Sequence, residues 1–379
     1  MSIMKPALFS FFSGSGFLDL GFENAGYEVV FVNEFHPPFM EAYKYSREKL
    51  GKEPPRFGYA QKSIENIEHS VIKHSMETLK NEGRLVGFIG GPPCPDFSIA
   101  GKNKGKDGEN GKLSKSYVDM IIEMMPDFFL FENVKGLYRT LKHRAFFEQI
   151  KRELAAVGYI LHERLINSIE YGAPQDRERI ILVGFLNKNL AKTFNWSEQV
   201  FPNKEAFQYP WPTTNIVKEN STVECPEDIP MELTIEHWFE KNDVSNHANA
   251  KHVFTARAGL ARFQSVEEGD DSKKSYKRLH RWRYSPTAAY GNNEVHLHPY
   301  KPRRITVAEA LAIQSLPKNF ELPENMTLSN MFKTVGNGVP YLAAFGIAKS
   351  ILKHLGIKDE FNSNESCECD SKSTQKQAV

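Results

Sequence analysis

The sequence predicts an α/β protein with a doubly wound, Rossmann-like sheet and a second, smaller irregular domain. Two observations predict this fold class. Short apolar runs alternate with amphipathic stretches through the first half of the chain, and scattered Pro, Asn and charged residues follow from about Asn187. With 379 residues the chain exceeds one average domain, so one large or two unequal domains are expected.

Five apolar runs have the length of strands, and their two-sided hydrophobicity is typical of parallel strands covered by helices. Helices are predicted between and after them; one begins at a T-x-x-E capping box formed by Thr306 and Glu309. The predicted strands are residues 7–12, 29–32, 85–89, 128–131 and 180–185, and the predicted helices are residues 116–125, 141–157, 308–316 and 341–354.

Residues 1–186 and 303–358 are predicted to form the large domain, and residues 187–302 the smaller one. Residues 359–379 are polar and are predicted to be a disordered tail.

The composition excludes several classes of protein. The net charge of +1 excludes binding to polyanions through bulk charge, so any nucleic-acid surface must be local. No apolar run approaches the roughly 20 residues that span a bilayer. The four cysteines lack C-x-x-C and zinc-ligand spacings, which predicts no metal site and a reducing, cytoplasmic environment.

A glycine-containing loop, Phe12 to Gly16, follows the first strand, and Glu34 ends the second. Glycines let a backbone approach a ligand, and an acid at this distance can accept hydrogen bonds from ribose hydroxyls. Asp19 stands at the place of the third glycine of G-x-G-x-x-G, which favours an adenosyl ligand over a dinucleotide. A tight turn with a strand-end carboxylate is the alternative.

Cys94 lies in a Gly- and Pro-rich turn, residues 90–98, directly after the third run. Ligands of open α/β sheets bind outside the carboxyl ends of strands, so this position favours a nucleophile. The alternative, a buried structural cysteine, would ordinarily lie within an apolar run.

Glu132 ends the fourth run, and Arg177 and Arg179 precede the fifth. Taken alone, the strand-end Glu132 would favour a helix cap or an ion-pair partner, and the two arginines would favour surface charge. A thiol, a carboxylic acid and two guanidinium groups at one sheet edge are what attack on a heteroaromatic ring requires.

These blocks, in this order, resemble the DNA cytosine-C5 methyltransferase family, which implies the Rossmann-like sheet of S-adenosylmethionine-dependent methyltransferases. The resemblance covers the chain except its irregular middle and its tail. The matching blocks are Phe12 to Gly16, Glu34, Pro92-Pro93-Cys94, Glu132-Asn133-Val134, Gln175 to Arg179, Arg303-Arg304 with Glu309-Ala310 and Gln314, and Gly336-Asn337-Gly338.

The resemblance implies that Cys94 adds to C6 of a cytosine flipped out of double-stranded DNA. Glu132 would be protonated and hydrogen-bond N3 and the exocyclic amine, while Arg177 and Arg179 would hold the base. The base that removes the C5 proton stays open.

S-adenosylmethionine is the implied cofactor, and three departures from the family pattern occur at or beside its site. Ser63 stands where an Asp is common, Pro95 replaces the usual Gln after the nucleophile, and Gly338 replaces a Ser. The implied cofactor residues are Phe12, Gly14, Ser15, Gly16, Glu34, Phe35, Ser63, Ile64, Pro93, Asn337 and Gly338.

Residues 251–304 contain twelve Lys and Arg against five acids, with aromatic residues between them. This segment corresponds to the family's target-recognition region, so the pattern favours DNA contact over a merely solvated face. The expected DNA-binding residues are Ser98, Arg281, Arg283, Tyr284 and Arg303.

The resulting prediction is a monomeric bacterial modification enzyme, located with the nucleoid DNA and related in function, not by contact, to a restriction endonuclease. The alternatives are a tRNA cytosine methyltransferase, a non-catalytic DNA-binding relative and a dehydrogenase. The recognised DNA sequence, the methylated cytosine and the need for a second methyltransferase stay open.

Overall fold

The computed structural model describes residues 4–93, 109–187, 190, 193–216, 223–256, 260–273, 275–288, 290 and 295–357. Within this part of the chain the strands form one seven-stranded sheet. The strands are β1 (Ala7–Phe11), β2 (Glu28–Asn33), β3 (Tyr59–Ala60), β4 (Val86–Gly90), β5 (Phe128–Val134), β6 (Ile160–Asn167) and β7 (Glu178–Phe185).

Helices flank the sheet and make up most of the C-terminal part. They are α1 (Phe17–Ala25), α2 (Pro37–Lys49), α3 (His69–Asn81), α4 (Glu109–Met124), α5 (Leu141–Ala156), α6 (Ile235–Lys241), α7 (Leu260–Ser265), α8 (Val307–Ile313), α9 (Leu328–Asn337) and α10 (Tyr341–His354).

The strand order β3-β2-β1-β4-β5-β7-β6 confirms the predicted α/β sheet. Strands β1 to β5 run parallel, whereas β7 is antiparallel to both β5 and β6. The prediction that all five apolar runs are parallel is therefore wrong for residues 180–185. Residues 168–177 connect β6 to β7, and this connection is too short for the crossover of a dozen or more residues that parallel strands require.

Two hydrophobic layers cover the sheet, as a doubly wound fold requires. In one layer, α3, α4 and α5 pack on Phe9, Phe11 and Phe88. The ring centres of Phe9 and Phe11 lie 5.4 and 5.1 Å from the ring centre of Phe88. Each buried phenylalanine contributes about 1.5–3 kcal/mol relative to exposure. The other layer consists of α1, α2 and α10.

The C-terminal helices return to the first helix. A Cβ at Gly21 in α1 would lie 2.5 Å from the Cβ of Ala344 in α10, so the glycine allows these two helices to touch. The bounds predicted for residues 341–354 are confirmed. This return places α9 and its last residues beside the N-terminal loop.

A third core joins the two predicted domains. It contains Phe17 of α1, Trp238 of α6 and Leu311 of α8, so the region before residue 302 and the C-terminal helices share one hydrophobic cluster. The predicted boundaries at residues 187 and 302 stay a prediction, and the predicted tail, residues 359–379, lies outside the described residues. No helix among the described residues is long and apolar enough to cross a membrane.

The predicted capping box of α8 is present. The side chain of Thr306 accepts from the backbone N–H of Glu309 at 3.1 Å, and the Glu309 carboxylate accepts from the Thr306 N–H at 2.8 Å. This reciprocal pair satisfies two N–H groups that would otherwise lack partners at the helix start.

Candidate active site

The Gly14 loop, Glu34 and Glu132 lie at one edge of the sheet, where β1, β2 and β5 end. Ligands of open α/β sheets bind outside this edge, next to the strand at which the order reverses, here β1. Strand β4 ends at Gly90, and the described chain continues from it to Pro93. The predicted nucleophile Cys94 and the predicted DNA contact Ser98 lie outside the described residues.

The loop after β1 is tied to the end of β2 by Glu34. Its carboxylate accepts from the backbone N–H of Gly14 and from that of His36, both at 2.8 Å. Burial raises the pKa of Glu34, while these N–H donors lower it. Gly14 has φ +55°, and no atom lies within 4 Å of the position that a Cβ would occupy, so the loop backbone is open there.

The residues around Glu34 could hold an adenosyl group. Phe35 follows directly with 67% of its surface exposed, which leaves an aromatic ring available for stacking at the sheet edge. Asn33 donates to the carbonyls of Ala60 and Lys62 at 2.8 and 2.7 Å, which holds the segment that leads to Ser63 beside β2. Ser63 precedes a 3₁₀ turn in which Ile64 is buried.

The end of α9 approaches the loop that follows β1. The hydroxyls of Ser15 and Thr334 hydrogen-bond at 2.7 Å, and Asn337 is exposed at the end of α9. A Cβ at Gly338 would lie 2.1 Å from Cδ2 of Phe17. Phe17 therefore occupies the space that a side chain at residue 338 would need, which is the physical reason for the glycine there.

Glu132 is the buried acid of the site. Its Oε1 accepts from Nε of Arg179 at 2.9 Å, and the residue is 8% exposed. Burial raises the pKa of Glu132, against the lowering effect of Arg179 and Arg177. Its Oε2 lies 2.6 Å from the position of a Cβ at Gly91, so a side chain at residue 91 would displace this carboxyl group.

Arg177 has a different position from that of Arg179. Its guanidinium is fully buried and donates to the carbonyls of Ala288 and Gly336 at 2.8 and 2.7 Å. Gln175, also buried, accepts from the Ala288 N–H at 3.2 Å. These contacts join the segment before β7, the segment that contains Ala288 and the end of α9, which favours a positioning role for Arg177 over direct contact with a base.

Two of the expected DNA contacts form ion pairs within the protein. Arg281 donates from Nε and Nη2 to Glu268 at 2.9 and 3.0 Å and is 5% exposed. Arg303 donates to both carboxylate oxygens of Glu309, at 2.8 and 2.7 Å. These ion pairs hold both guanidinium groups against carboxylates of the protein, and the contact of Arg281 and Arg303 with DNA stays a prediction.

Arg283 and Tyr284 do remain at a half-buried surface. The Arg283 guanidinium lies 5.3 Å from the centre of the Tyr284 ring and 3.8 Å from Asp271. The ring of Tyr284 also packs against Trp211. Among the described residues no group of three or more His, Cys, Asp or Glu could hold a metal ion.

Residues 7–353 match the family model described as C-5 cytosine-specific DNA methylase. The chain belongs to this family. It is 60% identical over 370 residues to the Type II methyltransferase M.NmeDI of Neisseria meningitidis serogroup C, covering 96% of this chain and 87% of that relative. It is 30% identical to M.MthTI of Methanothermobacter thermautotrophicus, covering 93% and 98%.

Solved structures show the same fold. A putative DNA modification methyltransferase encoded in an E. coli prophage superposes with a TM-score of 0.66 at 21% identity, covering 93% of this chain and 100% of that chain. The Dnmt2 methyltransferase of S. pombe superposes with a TM-score of 0.59 at 14% identity, with the same coverage. The protein is a DNA cytosine-C5 methyltransferase, and the sheet edge described above is its candidate active site.

Proposed function

We propose that this enzyme methylates C5 of a flipped cytosine in a specific DNA sequence through a covalent bond between Cys94 and C6. The observation that carries the proposal is the buried Glu132, held by Arg179 at 2.9 Å on the sheet edge that also carries the Gly14 loop and Glu34. Cys94 directly follows Pro93, at the end of a segment that leaves β4 beside Glu132.

The residues at the edge fit S-adenosylmethionine. Glu34 keeps acceptor capacity for ribose hydroxyls, the exposed Phe35 can stack on adenine, and the open backbone at Gly14 admits the amino acid portion. The buried Nδ2 of Asn133 has no hydrogen-bond partner among the described residues, so a polar ligand atom would satisfy it. Bound S-adenosylmethionine supplies an electrophilic methyl group. Phe12, Ser15, Gly16, Ser63, Ile64, Pro93, Asn337 and Gly338 complete the proposed set.

Each side chain of the site has a separate role in the reaction of the cytosine. The Cys94 thiolate forms a bond to C6, which makes C5 nucleophilic. Burial raises the pKa of Glu132, and in its protonated form Glu132 donates a hydrogen bond to N3 and stabilises the negative charge that develops on the ring. Arg179 orients Glu132 and neighbours the base, while Arg177 fixes Gly336 against the segment that contains Ala288. Loss of the C5 proton and release of Cys94 restore the aromatic ring.

The biological setting follows from the relatives. A Type II methyltransferase at 60% identity supports a modification enzyme of a restriction-modification system. We propose that the protein acts as a cytoplasmic monomer on double-stranded DNA, with Arg283 and Tyr284 on the DNA side and a cognate endonuclease as a functional partner.

Bisulfite sequencing tests this function directly. DNA from cells without their own cytosine methylation, but expressing this chain, should contain unconverted cytosine in one sequence context. Cys94→Ala should remove the protection, whereas Cys225→Ala, which changes a half-buried free thiol elsewhere, should retain it. Absence of any protected context with the unaltered chain, or full protection with Cys94→Ala, would contradict the proposal.

A further inference from the structure

A buried polar network lies directly behind the Gly14–Gly16 loop. Asp19, in the first turn of α1, is completely buried. Its two carboxylate oxygens accept from the hydroxyl of Ser10 at 2.8 Å and from that of Tyr43 at 2.9 Å. The network therefore joins β1, α1 and α2 through a single carboxylate.

Arg47 extends the network to the loop itself. Its Nη2 donates to the carbonyl of Gly16 at 2.7 Å, and its Nε lies 2.8 Å from a carboxylate oxygen of Glu23. The guanidinium also stacks on the Tyr43 ring at 4.5 Å. A Cβ at Gly16 would lie 2.6 Å from Tyr43 and 2.7 Å from Arg47, so α2 presses against the loop at this glycine.

We propose that Asp19, Tyr43 and Arg47 are positioning residues that hold the Gly14–Gly16 loop in the conformation that binds S-adenosylmethionine. The inference rests on the proposed function, which assigns the cofactor to this loop. None of the three side chains needs to touch the cofactor. They act through the Gly16 carbonyl, whose residue has φ +82° at the start of α1.

Stability alone does not account for this network. Burial raises the pKa of Asp19 to about 6 although Arg47, Ser10 and Tyr43 lower it, so the ionised carboxylate is held at a net cost at neutral pH. Apolar residues of similar volume would commonly be as stable as a buried ion pair. A directional group is useful where a backbone carbonyl must be held at one place, and the Arg47 contact to Gly16 provides that direction.

A pair of tyrosines provides a matched test. Tyr43 and Tyr27 are both buried, and each loses one hydroxyl hydrogen bond on change to Phe: Tyr43 to Asp19, and Tyr27 to the carbonyl of Ala348 at 2.9 Å. Calorimetry with S-adenosylhomocysteine should show about a 5- to 10-fold weaker Kd for Tyr43→Phe and less than about 2-fold for Tyr27→Phe, since a hydrogen bond to a charged group is worth more than an ordinary one.

Kinetics and rescue separate positioning from general damage. Asp19→Asn and Arg47→Met should raise KM for S-adenosylmethionine about 10-fold with little change in kcat or in KM for DNA. Arg47→Lys, which keeps a charged donor, should recover part of that loss. Urea unfolding of each variant verifies that the folded enzyme is being compared.

The outcomes distinguish this inference from the function on which it rests. Glu34→Gln, at the proposed ribose contact, serves as the reference. Weaker binding for Glu34→Gln with an unchanged Kd for Tyr43→Phe and Asp19→Asn would overturn only the positioning role. Unchanged binding in all of them would place the cofactor elsewhere, and the proposed function would fail as well.

Discussion

A side chain at residue 338 should collide with Phe17, and this can be measured. Gly338 has φ −62°, a conformation that alanine adopts without strain, so Gly338→Ala isolates the steric effect. The added Cβ would start 2.1 Å from Phe17, whereas carbon atoms in ordinary contact lie about 3.5–4 Å apart. The ring would have to move by about 1.5 Å.

Phe17 has little freedom to make that movement. It is 2% exposed and packs edge to face on Phe320, with the ring centres 5.2 Å apart. Overpacking of this kind costs about 1–3 kcal/mol, offset by about 0.4–1 kcal/mol from the reduced entropy of the unfolded chain. We expect Gly338→Ala to lower the free energy of unfolding by about 1–2 kcal/mol.

A double-mutant cycle with urea unfolding tests the cause. Phe17→Ala alone should cost about 3–5 kcal/mol. The double variant should cost no more than that, because the space left by the ring accommodates the new methyl group. Additive costs, or a Gly338→Ala variant as stable as the unaltered enzyme, would refute the steric explanation for the glycine.

Three further predictions concern the acid and the basic surface. Gly91→Ala should displace the Glu132 carboxyl and reduce kcat at least about 10-fold with little loss of stability, as activity and urea unfolding would show. Because folding raises the pKa of Glu132, stability from its protonated form is present below the unfolded pKa of about 4.5 and is lost as pH rises through the folded pKa. Glu132→Gln should therefore gain stability relative to the parent as the pH rises above about 4.5, and equal pH profiles would contradict this. Arg281→Met should destabilise the fold by about 3–5 kcal/mol by leaving Glu268 unpaired, whereas Arg283→Ala should mainly weaken DNA binding and lower its salt slope by about 1.

The sequence predicted which residues lie at the edge of the sheet better than it predicted the number and direction of the strands. Runs buried on both faces were recognisable, and the glycine loop, Glu34, Cys94 and Glu132 stand at the carboxyl ends of the first four, whereas Arg177 and Arg179 precede the fifth. Strand β6 was missed because this edge strand carries His162, Glu163 and Arg164 and has no continuous apolar run. Without β6, the short connection that makes β7 antiparallel could not be recognised.

Side-chain partners were the least predictable part of the site. Charge density indicated that Arg281 and Arg303 face DNA, but their partners Glu268 and Glu309 are set by tertiary packing. The carbonyl partners of Arg177 come from two segments far along the chain, which no local pattern reveals. Asp19 was visible only as a missing glycine, although it organises a network behind the loop.

Trapping with 5-fluorocytosine tests the central claim that Cys94 attacks C6 of the base. Fluorine at C5 allows addition and methylation but blocks the final elimination, because no proton can leave. With S-adenosylmethionine and a fluorinated duplex, enzyme and DNA should remain linked through denaturing electrophoresis, and peptide mapping should place the bond at Cys94. Cys94→Ala should give no such species, and Cys225→Ala should give the full amount. Full methylation of ordinary duplex without a trapped complex on the fluorinated one would contradict the covalent mechanism.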